Sequence, residues 1–143
     1  MRTINTLIIH CSDTPDGYAK YTVRDIDAWH AQRGFRRRPE SLEYNPTLPY
    51  IGYHGLIDCA GALWPGRGED EYGEHASGHN SLSLGYCLLG RTAFTPAQWA
   101  ALRELVLDVK RRYDTETAAI KVIGHREVQP DKSCPGFDVQ MWL

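Results

Sequence analysis

The chain has 143 residues, 42% apolar and 24% charged, with a formal net charge of −2. That length suits one domain spanning 1–143, able to bury about two-thirds of its unfolded surface, and the balanced charge excludes the basic signature of a nucleic-acid binder. No apolar run approaches the ~20 residues that span a bilayer, and Met1 to Ile9 lack the apolar region and cleavage site of a signal peptide.

Residues 4–10 are rich in branched apolar side chains and predict a strand covered on both faces. Alternation puts His10 on the face of Thr6 and Ile8, with Cys11 pointing the other way. After the turn-forming Ser12–Gly17, Thr22 predicts a helix start, with Asp25 in its first turn and Gly34 as terminator. Its His30 reads as a structural or capping histidine. Phe35 to Pro49 reads as an irregular insertion whose Arg36-Arg37-Arg38 triplet is expected to be solvated surface. Ile51 to Ile57 resumes an extended pattern, and Asp58 to Trp64 turns into a paired strand. Alternation there sets Ile51, Tyr53, Gly55 and Ile57 on one face, and His54 is expected to be buried and hydrogen-bonded.

Residues 65–80 form a polar, Gly-rich loop holding His75 and His79, and Ser83 to Leu89 reads as another strand. Thr95-Pro96-Ala97-Gln98 is a helix start with a capping threonine, proline at the first turn and glutamine three residues on. Phe94 and Trp99 suit a hydrophobic staple, and Trp99, Leu102, Leu105, Val106, Val109 and Tyr113 make a stripe of period 3.6. Ala119 to Ile123 gives the last strand, leading into His125. The expected fold class is α/β: a mixed β-sheet flanked by helices on its faces. If the first and last strands run parallel, His10 and His125 emerge together at their carboxyl ends, where such sheets bind ligands.

Four cysteines without a secretory signal read as thiols rather than two disulfides, because a made-in-the-cytoplasm chain folds under reducing conditions. Cys11, Cys59 and Cys87 sit in apolar stretches and read as small buried side chains. Cys134, between Ser133 and Pro135 in a polar loop, does not. With His125 it offers two ligands to a metal, and His10 offers a third, the number a catalytic zinc keeps. The short zinc signatures His-Glu-x-x-His and Cys-x-x-Cys are absent. Three readings therefore stand on residues alone. A Cys-His hydrolase would use Cys134 as nucleophile and His125 as base. A copper site would add Met141 as a weak axial ligand, which sits badly with this fold pattern and with Lys132 nearby. A zinc hydrolase would use His10, His125 and Cys134 and a water.

Seven segments appear in a fixed order: His10-Cys11-Ser12-Asp13-Thr14, Ile26-Asp27-Ala28-Trp29-His30, Gly52-Tyr53-His54, Glu74-His75-Ala76-Ser77-Gly78, Gly85 to Gly90, Gly124-His125-Arg126-Glu127 and Lys132-Ser133-Cys134-Pro135. Together they resemble the type 2 N-acetylmuramoyl-L-alanine amidase family, which includes T7 lysozyme-like endolysins and peptidoglycan recognition proteins. The likeness runs from about His10 to Asp138, interrupted by the basic, proline-rich segment 36–50.

The resemblance implies one Zn²⁺ on His10, His125 and Cys134, catalytic roles for Tyr53 and Lys132, and hydrolysis of the amide joining N-acetylmuramic acid to L-alanine. It implies peptidoglycan as partner, with His75 lining the substrate groove. Two imidazoles and a thiolate would leave zinc a net charge of +1 and an open position, Lys132 would face the oxyanion, and Tyr53 would orient a water or pass its proton. Some members of the family bind peptidoglycan without cutting it and lack the metal cysteine; Cys134 favours the enzyme. A monomeric phage or prophage endolysin, made in the host cytoplasm and acting on the cell wall after release, is the expected whole.

Overall fold

The apolar run near the N-terminus forms β1 (Thr6–Cys11), the second strand from one edge of a five-stranded mixed sheet. The computed structural model describes residues 2–17 and 20–143. The other strands are β2 (Gly55–Ile57), β3 (Leu63–Pro65), β4 (Ser83–Leu88) and β5 (Lys121–Gly124), in the order β3-β2-β4-β1-β5. β1 runs parallel to both β4 and β5, and β2 parallel to β4. β2 and β3 form an antiparallel hairpin, whose turn is held by Asp58 Oδ1 accepting the N–H groups of Ala60 and Ala62, each at 3.0 Å.

Leu7, Ile8 and Ile9 are fully buried, as a strand covered on both faces requires. On one face Leu7, Ile9, Leu84 and Leu88 pack with Leu102, Leu105, Val106 and Val109 of α3 (Pro96–Tyr113). On the other, Leu56 and Cys87 pack with Val23 and Ile26 of α1 (Val23–Gln32) and with Leu48 and Ile51. His10 pairs in register with Cys87, so it belongs to the α1 face.

Both helix starts follow from their caps. The Asp25 carboxylate accepts the Thr22 N–H at 2.7 Å, and Gly34 takes φ +86° just beyond α1. At α3, Thr95 Oγ1 accepts the Gln98 N–H at 3.1 Å while Gln98 Oε1 accepts the Thr95 N–H at 2.9 Å. Phe94 and Trp99 meet edge to face with ring centroids 5.5 Å apart. The buried Gln98 does more than cap: its Nε2 donates to the carbonyls of Ile57 and Leu89, fastening the helix start to two strand ends.

Three expectations need correction. The extended pattern of 51–57 is a strand only over Gly55–Ile57, because residues 51–54 bond singly to different partners: Gly52 N–H to His30, His54 N–H to Gly85. Alternation consequently lapses there, and Ile51 lies with Leu56 on the α1 face while Ile57 joins the α3 face. The insertion holds a helix, α2 (Pro39–Tyr44), with proline at its first turn. Within the triplet, Arg37 is buried rather than solvated: it pairs with Glu71 at 3.3 Å and donates to the carbonyls of Ser41, Asn45 and Leu48. A short α4 (Val139–Trp142) also follows the Cys134 loop and buries Val139. Cys11, Cys59 and Cys87 are buried free thiols, and Cys134 is a half-buried one.

Candidate metal centre and its cleft

The parallel register of β1 and β5 pairs Ile9 with Gly124, so the residues after each, His10 and His125, leave the sheet side by side. Their ring centroids lie 4.5 Å apart. The chain then turns through 125–127 and returns with Cys134, whose carbonyl accepts the Arg126 N–H at 2.8 Å. Gly124 permits this return, since a β-carbon there would press on Pro135 at 2.8 Å.

Ligand atoms of His10, His125 and Cys134 all lie within 4.8 Å of one another, and among the described residues this is the one group of histidine, cysteine and carboxylate side chains placed to hold a metal. Cys134 Sγ is 3.9 Å from His10 Nδ1. Tetrahedral zinc with ordinary Zn–S and Zn–N lengths sets those two atoms about 3.6 Å apart, so that pair fits the ion with little movement. The other ring nitrogens are already engaged. His10 Nε2 lies 2.8 Å from His75 Nδ1, and His125 Nε2 is hydrogen-bonded to Gln129 Oε1, which leaves Nδ1 as the nitrogen each ring can offer a cation. Met141, the axial ligand a copper site would need, is 84% exposed on α4.

The electrostatics favour neutral imidazoles, the form that binds metals. Burial, then the neighbouring His75 and His125, holds His10 well below the usual histidine range, and burial also lowers His125. The Cys134 thiol is pushed up by its hydrogen bond with Cys11 and by burial. A divalent cation between the three donors would reverse that balance, and the Cys11 N–H, donating to Cys134 Sγ at 3.1 Å, already suits a thiolate.

A cleft of about 600 Å³ opens over these groups, and Tyr53, His75 and Lys132 all line it. Tyr53 sits against His10, ring centroids 5.0 Å apart, and burial followed by the nearby Cys87 raises its phenol well above the usual value. Lys132 is exposed on the loop that carries Cys134. His30 also reaches the cleft, but its Nδ1 accepts the Gly52 N–H at 2.8 Å, the structural role expected of it. His54 is buried as expected, accepting the Gly85 N–H at Nδ1 and contacting the Glu71 carbonyl through Nε2 at 2.8 Å. The sequence reading missed Gln129 and Ser83, the partners of His125 and His75, and the cleft walls Arg33, Phe35 and Glu74. Gln129 had one faint signal, its spacing of four from His125 in a turn.

A family model described as N-acetylmuramoyl-L-alanine amidase matches residues 1–137. The chain is 35% identical to the endolysin of Klebsiella phage KP32 over 144 residues, covering 95% of this chain and 83% of that relative. It is 34% identical to the endolysin of Escherichia phage T7 over 146 residues, covering 96% and 84%. Its fold superposes on the N-acetylmuramoyl-L-alanine amidase LysC from Clostridium intestinale URNW with a TM-score of 0.75 at 25% identity, covering 99% of this chain and 83% of that one.

Proposed function

We propose, from the premise that the chain belongs to the N-acetylmuramoyl-L-alanine amidase family, that it is a zinc-dependent endolysin cutting the amide between N-acetylmuramic acid and the L-alanine of the stem peptide. The observation that carries the zinc reading is the convergence of His10, His125 and Cys134 from the two ends of the chain. Zinc there would supply Lewis acidity toward the amide carbonyl and toward water. The rest is work for the chain's own side chains. The cleft walls receive the glycan and its peptide and hold the scissile amide over the two histidines. Tyr53, kept as a phenol by burial, can hold a hydrogen bond to the attacking water while keeping its own proton. Lys132, its ammonium free to swing on a flexible stem, meets the negative charge that grows on the amide oxygen.

Every one of these groups comes from a single chain, so a monomer suffices. The relatives' endolysin role suggests a site of action at the bacterial wall after synthesis in a phage-infected cytoplasm. Product analysis of digested peptidoglycan tests the reaction. New L-alanine amino termini, abolished by a chelator and restored by Zn²⁺, are expected; new reducing sugars, or cleavage indifferent to the chelator, would sink the reading.

A further inference from the structure

His75 touches one of the three converging side chains directly, and the direction of its hydrogen bonds can be worked out from an acceptor that has no choice. The His79 carbonyl accepts the Ser83 hydroxyl at 2.7 Å, which commits the only proton Ser83 Oγ carries. Ser83 Oγ must then accept from His75 Nε2, 3.3 Å away, so the His75 proton is on Nε2. His75 Nδ1 is left as a bare acceptor, and the His10 nitrogen 2.8 Å from it, Nε2, must be the donor. A neutral His10 protonated at Nε2 carries its lone pair on Nδ1, the atom 3.9 Å from Cys134 Sγ. Run in the opposite direction, the chain would put the His10 proton on Nδ1 and close that atom to a cation.

The surroundings hold His75 in this pose. A β-carbon at Gly73 or Gly85 would overlap its ring, so both glycines make room for it. Its backbone N–H and that of Ala76 both donate to Asn80 Oδ1 at 3.0 Å, fixing the loop that carries it. The ring stands edge-on to His10, at 89° with centroids 4.9 Å apart. Both of its nitrogens are engaged within the protein, which leaves none for a substrate.

We infer that His75 is a positioning residue, the link between Ser83 and His10 in a relay that starts at the His79 carbonyl and selects the His10 tautomer able to bind metal through Nδ1. The inference rests on the zinc reading above. Outer partners of metal-bound histidines are commonly carboxylates or backbone carbonyls, and losing one typically weakens metal binding about 10- to 100-fold. His75→Ala is therefore expected to raise the zinc dissociation constant by that factor in competition with a chromophoric chelator. His75→Asn, whose Oδ1 takes the place of Nδ1 and can accept the same His10 proton, is expected to lose less than about 10-fold, since the partner's accepting role is what counts.

The tautomers themselves are read from long-range ¹⁵N–¹H spectra of the unchanged protein prepared without metal. Both His10 and His75 should be protonated at Nε2. Nδ1 protonation of His75, unaltered zinc affinity in His75→Ala, or a His75→Asn variant as weak as His75→Ala would each overturn the inference. Should the unchanged chain take up no zinc, the metal reading fails, and the spectra still decide the relay. A His75→Ala variant that fails to fold leaves the spectra and His75→Asn to decide it.

Discussion

Lys132 stands two residues before Cys134, yet the two side chains have different tasks and their losses should separate. Cys134 Sγ is one of three donor atoms within 4.8 Å of one another, so Cys134→Ser is expected to lose bound zinc and amidase activity together. Metal analysis of the purified variant checks this; a full zinc complement with full activity would remove the thiolate from the centre. Lys132 lines the cleft without joining that group. Lys132→Ala should keep one zinc per chain while kcat falls on the order of 10²–10³-fold, the usual loss for a donor aimed at an oxyanion. An unchanged kcat would dismiss it. Among single residues, His10 is the one the sequence singles out most directly, since strand alternation separates it from Cys11. Gln129 and Ser83 escape notice because their bonds depend on rotamers in irregular segments, where no period says which way a side chain points.

Elements show the same contrast in the Arg36-Arg37-Arg38 triplet. Three consecutive arginines outside a regular strand or helix look alike in sequence, and the partner that distinguishes one, Glu71, is 34 positions away. In the structure Arg36 and Arg38 are exposed while Arg37 and Glu71 bury their charges, with side chains 0% and 4% exposed. Arg37 also gathers three carbonyls around α2, so it holds the insertion against the loop that carries Glu71. Arg37→Ala would leave a buried carboxylate without its cation, a change that typically costs about 3–5 kcal/mol. Arg36→Ala gives up an exposed contact with the Tyr50 ring and should cost less than about 1 kcal/mol. Urea unfolding of the two variants compares them, and equal midpoints would mean the buried pair contributes little. The helix starts, by contrast, are legible at Thr22 and Thr95, because a cap is a local arrangement of four residues.

At the scale of the molecule, a mixed sheet flanked by helices follows from alternating strand and helix patterns, and the His10–His125 meeting follows once β1 and β5 run parallel. The same sheet that brings imidazoles to one place also buries others without a carboxylate partner, and that has a consequence for stability. Burial holds His54 at about 3 and, with Arg33 and Arg67 adding to it, His30 at about 4. In the unfolded chain each titrates near 6.5. Between those values the unfolded state binds a proton at each position that the folded state refuses, so stability rises with pH across this window and falls as the solution is acidified. Two such groups can remove up to about 2.7 kcal/mol per pH unit, against a total of about 5–15 kcal/mol for a typical domain. Burial lowers His10 and His75 in the same direction. The urea midpoint should therefore drop between pH 6.5 and 5, above the range where ordinary carboxylates titrate, which separates the histidine contribution from theirs. A midpoint that stays level down to pH 5 would mean these rings take up protons in the folded state, and the packing that positions His10 is looser than the structure describes.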